Sequence, residues 1–419
     1  MERKIIQPEE KLPILETIPL SLQHLFAMFS ATVVVPILFH INPATVLFFN
    51  GLGTIFYLII CKGKVPAYLG SSMSFISPVF IILSKYNYEY ALGGFIAVGI
   101  ALCIVGFLIK FIGTKWIDVI FPPAAMGAIV TVIGLELMPV AAQMAGLTSE
   151  TINIKIIFVS LSTLLIAIFT TVAFKGFLSV ISILFAIVCG YVIAYFNGLL
   201  DLSAVETTAW FAMPTFYKVH FSLESVLVIL PVALVVIAEH IGHFIVIGNI
   251  MEKNLMKDPG LARSIFGNGF STIISGFFGS TPNTTYGENI EVLAITKVFS
   301  TWVIGGAAAF AIVLSFFGKL SALIQSIPSA VMGGISLLLF GVIAVSGIRI
   351  FVDKKVDYNK PKNLILSSVV LGIGVSSASF TLGSVTLKGM TLATVVAIIL
   401  SISFNIIEHF QKKHIKENN

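Results

Sequence analysis

The chain reads as an all-α polytopic membrane protein with about 14 transmembrane segments in a 7+7 inverted repeat. Three observations predict this. Hydrophobic residues fill 57% of the 419 positions and charged residues only 11%, about half the charged share of a soluble domain. The apolar residues gather into runs of spanning length. The basic residues crowd onto alternate loops between those runs. A chain this long and apolar cannot hide its surface in a globular core. Met1 to Glu16 is charged and polar, without the short apolar core of a cleavable signal. Cys61, Cys103 and Cys189 match no metal or disulfide spacing. The net charge of +5 is spread over short loops, so nucleic acid is not an expected partner.

Apolar segments fall near 17–39, 43–61, 91–109, 117–137, 156–174, 177–197, 224–247, 264–278, 301–317, 328–348, 363–379 and 387–407. Most can cross a bilayer as helices, at about 20 residues each. Two further stretches, 65–84 and 280–299, are less regular. If both cross and the N-terminus is cytoplasmic, only Lys85, Lys155, Lys218, Lys319 and Lys388 of the 25 basic residues fall outside. Arg3 and Lys4 are among those inside. The positive-inside rule is then well obeyed. Omitting either irregular stretch would reverse the later loops and spoil the bias. Both termini are therefore expected in the cytoplasm.

Equal numbers of spans flank the polar stretch 198–223. An odd number per half inverts the second half relative to the first, a plan common among secondary transporters. The irregular stretches occupy matching third places. One runs from Val65 through Pro66, Gly70, Ser71, Ser72, Met73 and Ser74 to Pro78. The other runs from Gly279 through Pro282, Thr284, Thr285, Tyr286 and Gly287 to Asn289. Proline removes a backbone donor and glycine permits close backbone approach. A kink alone would explain one such stretch. Two at corresponding positions, one with carboxylates, point to a binding site near the bilayer midplane.

Acids within spans are few. Glu239 and His243 are four apart and share a helix face. An imidazole there can share a proton with the carboxylate or orient it. A buried ion pair would be the plainer reading, but no Lys or Arg lies inside a span to complete it. The stretch is not a His-Glu-x-x-His zinc pattern, and no metal is expected. His240 points elsewhere and is equally well read as a polar helix end. Glu288 follows Gly287 and precedes an apolar run. A half-helix starting there would aim free N–H groups and the positive end of its dipole at the break. A ligand suited to both features offers N–H donors to the carboxylates and carbonyl oxygens to the backbone. A nucleobase with lactam groups does so. An inorganic anion would be repelled by two nearby glutamates.

The chain resembles the nucleobase–ascorbate transporter family nearly end to end. The resemblance rests on Gln23 to Phe29, Pro66 to Ser72, Phe121 to Ala124, Ala238 to His243, and Thr284 to Asn289. The family signature is Gln, Glu or Pro, then Asn, any residue, Gly, four residues, Thr, and a basic residue or Gly. Glu288, Asn289, Ile290, Thr296 and Lys297 match it. Glu291 stands at the signature glycine, and Met73 stands where phenylalanine is usual.

The resemblance implies proton-coupled import of uracil across the cytoplasmic membrane by alternating access, with the proton as coupling ion and no other cofactor. A glutamate opening the signature is similar to the uracil branch, whereas xanthine and urate branches tend to have glutamine. It implies a core domain (1–115 and 201–318) and a gate domain (116–200 and 319–419, with the tail). Short strands in spans 3 and 10 would pair in the core. Glu239 and Glu288 would hold the base, assisted by backbone at Met73 and Gly287, with Tyr286 and Asn289 in the same set. His243 would support Glu239 in proton coupling. Family members can form dimers through the gate domain. The alternatives are a xanthine or other purine carrier and, from another class, an anion exchanger or channel of similar architecture. An enzyme is not expected, because no nucleophile with a positioned base is found.

Overall fold

The computed structural model describes residues 5–148, 151–376, 378–383 and 385–417. Arg3 and Lys4, counted above among the cytoplasmic charges, lie outside them. The first half comprises α1 (Ile14–Phe39), α2 (Pro43–Ile60), β1 (Leu69–Ser71), a 3-10 turn (Met73–Phe75), α3 (Ile76–Leu83), α4 (Tyr88–Ile112), α5 (Lys115–Ile120), α6 (Pro123–Met144), α7 (Ile154–Ala173), α8 (Phe177–Val180), α9 (Ser182–Phe196) and α10 (Ser203–Thr207). Then follow α11 (Leu223–Ile229), α12 (Val232–Met251), α13 (Leu261–Phe277), β2 (Asn283–Thr285), α14 (Gly287–Thr296), α15 (Thr301–Ser315), α16 (Gly318–Gln325), α17 (Ser329–Asp353), α18 (Pro361–Val375), β3 (Ser379–Leu382), β4 (Val385–Lys388) and α19 (Gly389–Glu417).

Among the described residues, eight helices are long and apolar enough to cross a membrane, counting α11 and α12 as one. Shorter apolar helices cover Met73–Leu83, Ser182–Phe196, Thr301–Ser315 and Pro361–Val375. The chain is thus a helical, multi-pass membrane protein. The β3–β4 ladder was not expected from hydropathy. It lies where the apolar segments 363–379 and 387–407 meet, and Phe380, Thr381, Val385 and Thr386 there favour extended backbone.

Two compact units emerge. One joins Met1–Leu108 with Pro139–Leu338, the other Ile109–Met138 with Leu339–Asn419. Their boundaries reflect packing density. They do not coincide with the core (1–115 and 201–318) and gate (116–200 and 319–419) that the resemblance implies.

In the first unit, α2 is the central post. Asn42 caps it, its Oδ1 accepting from the Ala44 N–H at 2.9 Å, with Pro43 in the first turn where a missing N–H does no harm. Pro231 separates α11 from α12. Helix α13 packs against α2 and buries Ser264, Asn268, Ser271, Thr272 and Ser275. Spacings of three and four put these residues on one face. That polar face lowers the hydropathy of a helix that is nonetheless interior. Gly53 lets α13 approach: a Cβ there would meet Ser271 Oγ and come 2.5 Å from Asn283 Nδ2.

In the second unit, the Ser367 hydroxyl donates to the Ala124 carbonyl at 3.0 Å, joining α18 to α6. Glu136, inside α6, accepts from the Met390 N–H at 2.9 Å and so caps α19.

Candidate functional site

Both irregular stretches break their helices with extended backbone. Strands β1 and β2 pair antiparallel, with Leu69 opposite Thr285, Gly70 opposite Thr284 and Ser71 opposite Asn283. The Tyr286 N–H reaches the Tyr68 carbonyl at 3.0 Å, and the Ser72 N–H reaches the Pro282 carbonyl at 2.9 Å. The hydroxyls of Ser71 and Thr281 bond at 2.7 Å. Prolines 66, 78 and 282 flank the strands rather than interrupt them. Without water, every backbone group at membrane depth needs a protein partner. The two breaks satisfy much of that need by pairing with each other.

The outer edges of this ribbon are met by threonines. Thr54 of α2 accepts from the Leu69 N–H at 2.9 Å and donates to the Leu69 carbonyl at 3.2 Å. Thr272 of α13 does the same for Asn283, at 3.2 Å and 3.3 Å. The Asn283 side chain adds donations to Ser271 Oγ at 2.5 Å and Ser275 Oγ at 3.2 Å.

Beyond each strand a helix begins. The 3-10 turn at Met73 leads into α3, and Tyr286 precedes the first turn of α14 at Gly287. Their first N–H groups lack intrahelical partners. Helix α12 packs against the 3-10 turn, β2 and α14, which brings Glu239 and His243 to the same place. Glu239 of α12 and Glu288 of α14 are thus carried on helices that pack together. His243 Nδ1 bonds Thr285 Oγ1 at 2.9 Å. Its Nε2 lies 3.6 Å from where a Cβ of residue 287 would stand.

Burial separates this group from its surroundings. Met73, Glu239, His243, Gly287 and Glu288 are half-buried, whereas Ser71, Ser72, Ser74, Phe75 and Thr281 to Tyr286 are buried. Glu239 Oε2 and Thr284 Oγ1 are enclosed, with the Thr284 side chain beside the Glu239 carboxylate. The packed elements thus bring two half-buried carboxylates, an imidazole and two helix starts into one neighbourhood.

Tyr286 and Asn289 are placed differently from those five. Tyr286 is buried, its ring lying against Gly70, where any Cβ would strike it. Its hydroxyl donates to the Ser71 carbonyl at 3.1 Å. Asn289 is buried and donates to the His24 carbonyl at 2.9 Å. Both hold backbone and neighbouring helices. His240 is buried too, with Nε2 2.7 Å from Ser264 Oγ, which bonds the Tyr57 hydroxyl at 2.5 Å. Glu291 is exposed on α14. No cluster of His, Cys, Asp or Glu suited to a metal occurs among the described residues.

Sequence reasoning missed Thr54, Thr272 and Glu136. Glu136 carried a signal, an acid inside an apolar span. The threonines carried none beyond a hydroxyl in an apolar helix.

Two broken segments at matching places in a helical membrane protein follow a plan common among secondary transporters. Two solved structures share the fold. The transmembrane domain of a cyanobacterium bicarbonate transporter BicA matches with TM-score 0.67 at 13% identity, covering 95% of this chain and 100% of that one. Murine Slc26a9, an anion transporter in the inward-facing state, matches with TM-score 0.72 at 12% identity, covering 96% and 69%. At these identities the likeness concerns fold alone. A model of the xanthine/uracil permeases, described as Permease family, matches residues 15–383. The chain belongs to this family, the nucleobase–ascorbate transporters, and is a transporter rather than an enzyme. Among its relatives are the uracil permeases of Escherichia coli strain K12, 60% identical over 97% of this chain and 95% of that protein, and of Paenibacillus larvae, 58% identical over 97% and 98%. That of Bacillus subtilis is 44% identical over 91% of each chain.

Proposed function

We propose that this chain imports uracil together with protons across the cytoplasmic membrane by alternating access. The observation that carries the reading is the packing of α12, which bears Glu239 and His243, against the starts of two helices that follow paired strands, one of them opening with Gly287 and Glu288. The carboxylates accept the N–H groups of the base, and the backbone at Met73 and Gly287 serves its carbonyl oxygens. Met73 supplies a flexible apolar wall. Tyr286 and Asn289 contribute from behind, by fixing the ribbon and α14. Near-full-length kinship to uracil permeases supports the choice of base.

Glu239 carries the coupled proton, supported by His243 one turn along α12, whose ring is fixed by its bond to Thr285. A protonated carboxyl crosses a low-dielectric barrier cheaply and an ionised one does not. Coupling follows if the carrier moves when it holds both base and proton or neither, and not when it holds only one of them. Residues 1–115 and 201–318 act as core, 116–200 and 319–419 as gate, and a homodimer would form through the gate. The eight long helices and four shorter ones, joined by α13 and α14, make the fourteen crossings of a 7+7 inverted repeat. Both termini then face the cytoplasm.

The decisive experiment is uracil binding to purified protein across pH, with thymine, cytosine and xanthine as competitors. Preference for xanthine would move the chain to the purine branch. Chloride or bicarbonate transport without nucleobase binding would sink the reading.

A further inference from the structure

We infer that Thr54 and Thr272 are positioning residues for the substrate site, each holding one broken segment in register through a single hydroxyl. Thr54 sits on α2 and Thr272 on α13, and the two helices pack together with the ribbon against them. Each hydroxyl both accepts from and donates to one residue, Leu69 or Asn283. Leu69 begins β1, which ends two residues before Met73. Asn283 begins β2, which ends two residues before Gly287. The two clamps thus grip corresponding points of the two segments, a short distance upstream of the residues that face the ligand.

The chemistry requires a hydroxyl. The outward N–H and C=O of a strand residue point the same way, about the width of one oxygen apart, and only a group that donates and accepts serves both. Valine has the same shape and does neither, and leaves two buried backbone groups unpaired. The clamps are not equal. Asn283 keeps two further bonds through its side chain, to Ser271 and Ser275. Leu69 has an apolar side chain and no such reserve. The Thr54 clamp therefore bears more on the site.

The inference rests on the uracil reading only for the choice of ligand. Uracil binding and thermal unfolding of the purified full chain should be measured for Thr54→Val, Thr272→Val and the two serine variants. We expect Thr54→Val to weaken uracil binding about tenfold or more and Thr272→Val by less, for a loss of one to two buried bonds. Thr54→Ser and Thr272→Ser should bind as the parent does. Folded valine variants with parental affinity would overturn the inference, as would a drop in melting temperature without loss of affinity. Serine variants as weak as the valine ones would overturn it as well. If a valine variant does not fold, the alanine variant replaces it under the same criteria. If the parent does not bind uracil, the functional reading fails. Amide exchange at Leu69 and Asn283 then tests the clamps alone: faster exchange in the valine variants supports them and unchanged exchange refutes them.

Discussion

Replacing Glu288 with alanine isolates the central contact. Glu288 opens α14, is half-buried, and lies within electrostatic reach of Glu239. A base N–H donated to its carboxylate is a hydrogen bond to a charged group, worth about 1.5–3 kcal/mol. Its removal should raise the dissociation constant for uracil between about tenfold and about 150-fold. Loss of fold would give the same result for the wrong reason, and the site supplies a control. Removing one of two neighbouring carboxylates relieves repulsion, so the variant should melt no lower than the parent. Glu288→Gln should fall between the two, because the amide keeps an acceptor but turns a donor toward the base. Calorimetric titration of purified protein, with a parallel melting curve, measures both quantities. Binding by the alanine variant within about threefold of the parent, with the parent binding normally, would remove Glu288 from the site.

Other substitutions test other parts. Glu239→Gln should bind uracil but lose accumulation driven by an inward proton gradient; unchanged pH-dependent uptake in vesicles would exclude Glu239 from coupling. Gly53→Ala places a Cβ on Ser271 and near Asn283, so it should cost about 1–3 kcal/mol by overpacking, and a melting temperature equal to the parent's would show that α13 yields freely. Glu136→Ala removes the cap on α19 and should cost about 1 kcal/mol with uracil affinity unchanged, both read from one melting and binding series. Lys64, in the loop after α2, bonds Asp258 and holds its carboxyl below the usual carboxylate range. The contribution of that pair is complete above the unfolded carboxylate value and fades as pH falls through the lower folded one. Asp258→Asn should therefore melt slightly below the parent at neutral pH and match it in acid, which flattens the acid limb of the melting profile.

Spans were legible where hydropathy and charge agreed. Helix α13 was located near 264–278 although its buried serines and Asn268 depress its hydropathy, because its apolar neighbours and the charged loop before it bounded the segment. The broken stretches announce themselves through proline, glycine and small hydroxyl residues gathered together, from Pro66 to Pro78 in one and from Gly279 to Gly287 in the other. The family resemblance groups Tyr286 and Asn289 with Glu288. The turn from strand to helix sends neighbouring residues in different directions, so Glu288 is half-open while Tyr286 and Asn289 are buried. Thr54 and Thr272 were invisible for a different reason. A threonine in an apolar helix usually bonds its own preceding turn, and nothing local distinguishes one that reaches a strand instead. The β3–β4 ladder was missed because two apolar segments read continuously up to it, and its alternation is too short to stand out.

The ribbon also explains why a carrier should break its helices in pairs. An intact helix uses its own N–H groups and offers a polar solute only side chains. Breaking it frees backbone donors at the start of the next helix, but it also strands carbonyls and amides in a medium that cannot solvate them. One broken segment would have to find all its partners in intact helices, which have few groups to spare. Two broken segments can pair, and here they leave outer edges that Thr54 and Thr272 close. Pairing has a mechanical consequence. Met73 at the end of one break and Gly287 at the end of the other are tied through the same ladder, so neither can shift without straining the other. Any motion that moves the site must carry both helix starts together, and the ligand's contacts with them can persist through it. Carboxylates alone, on separate mobile helices, would not give that constancy.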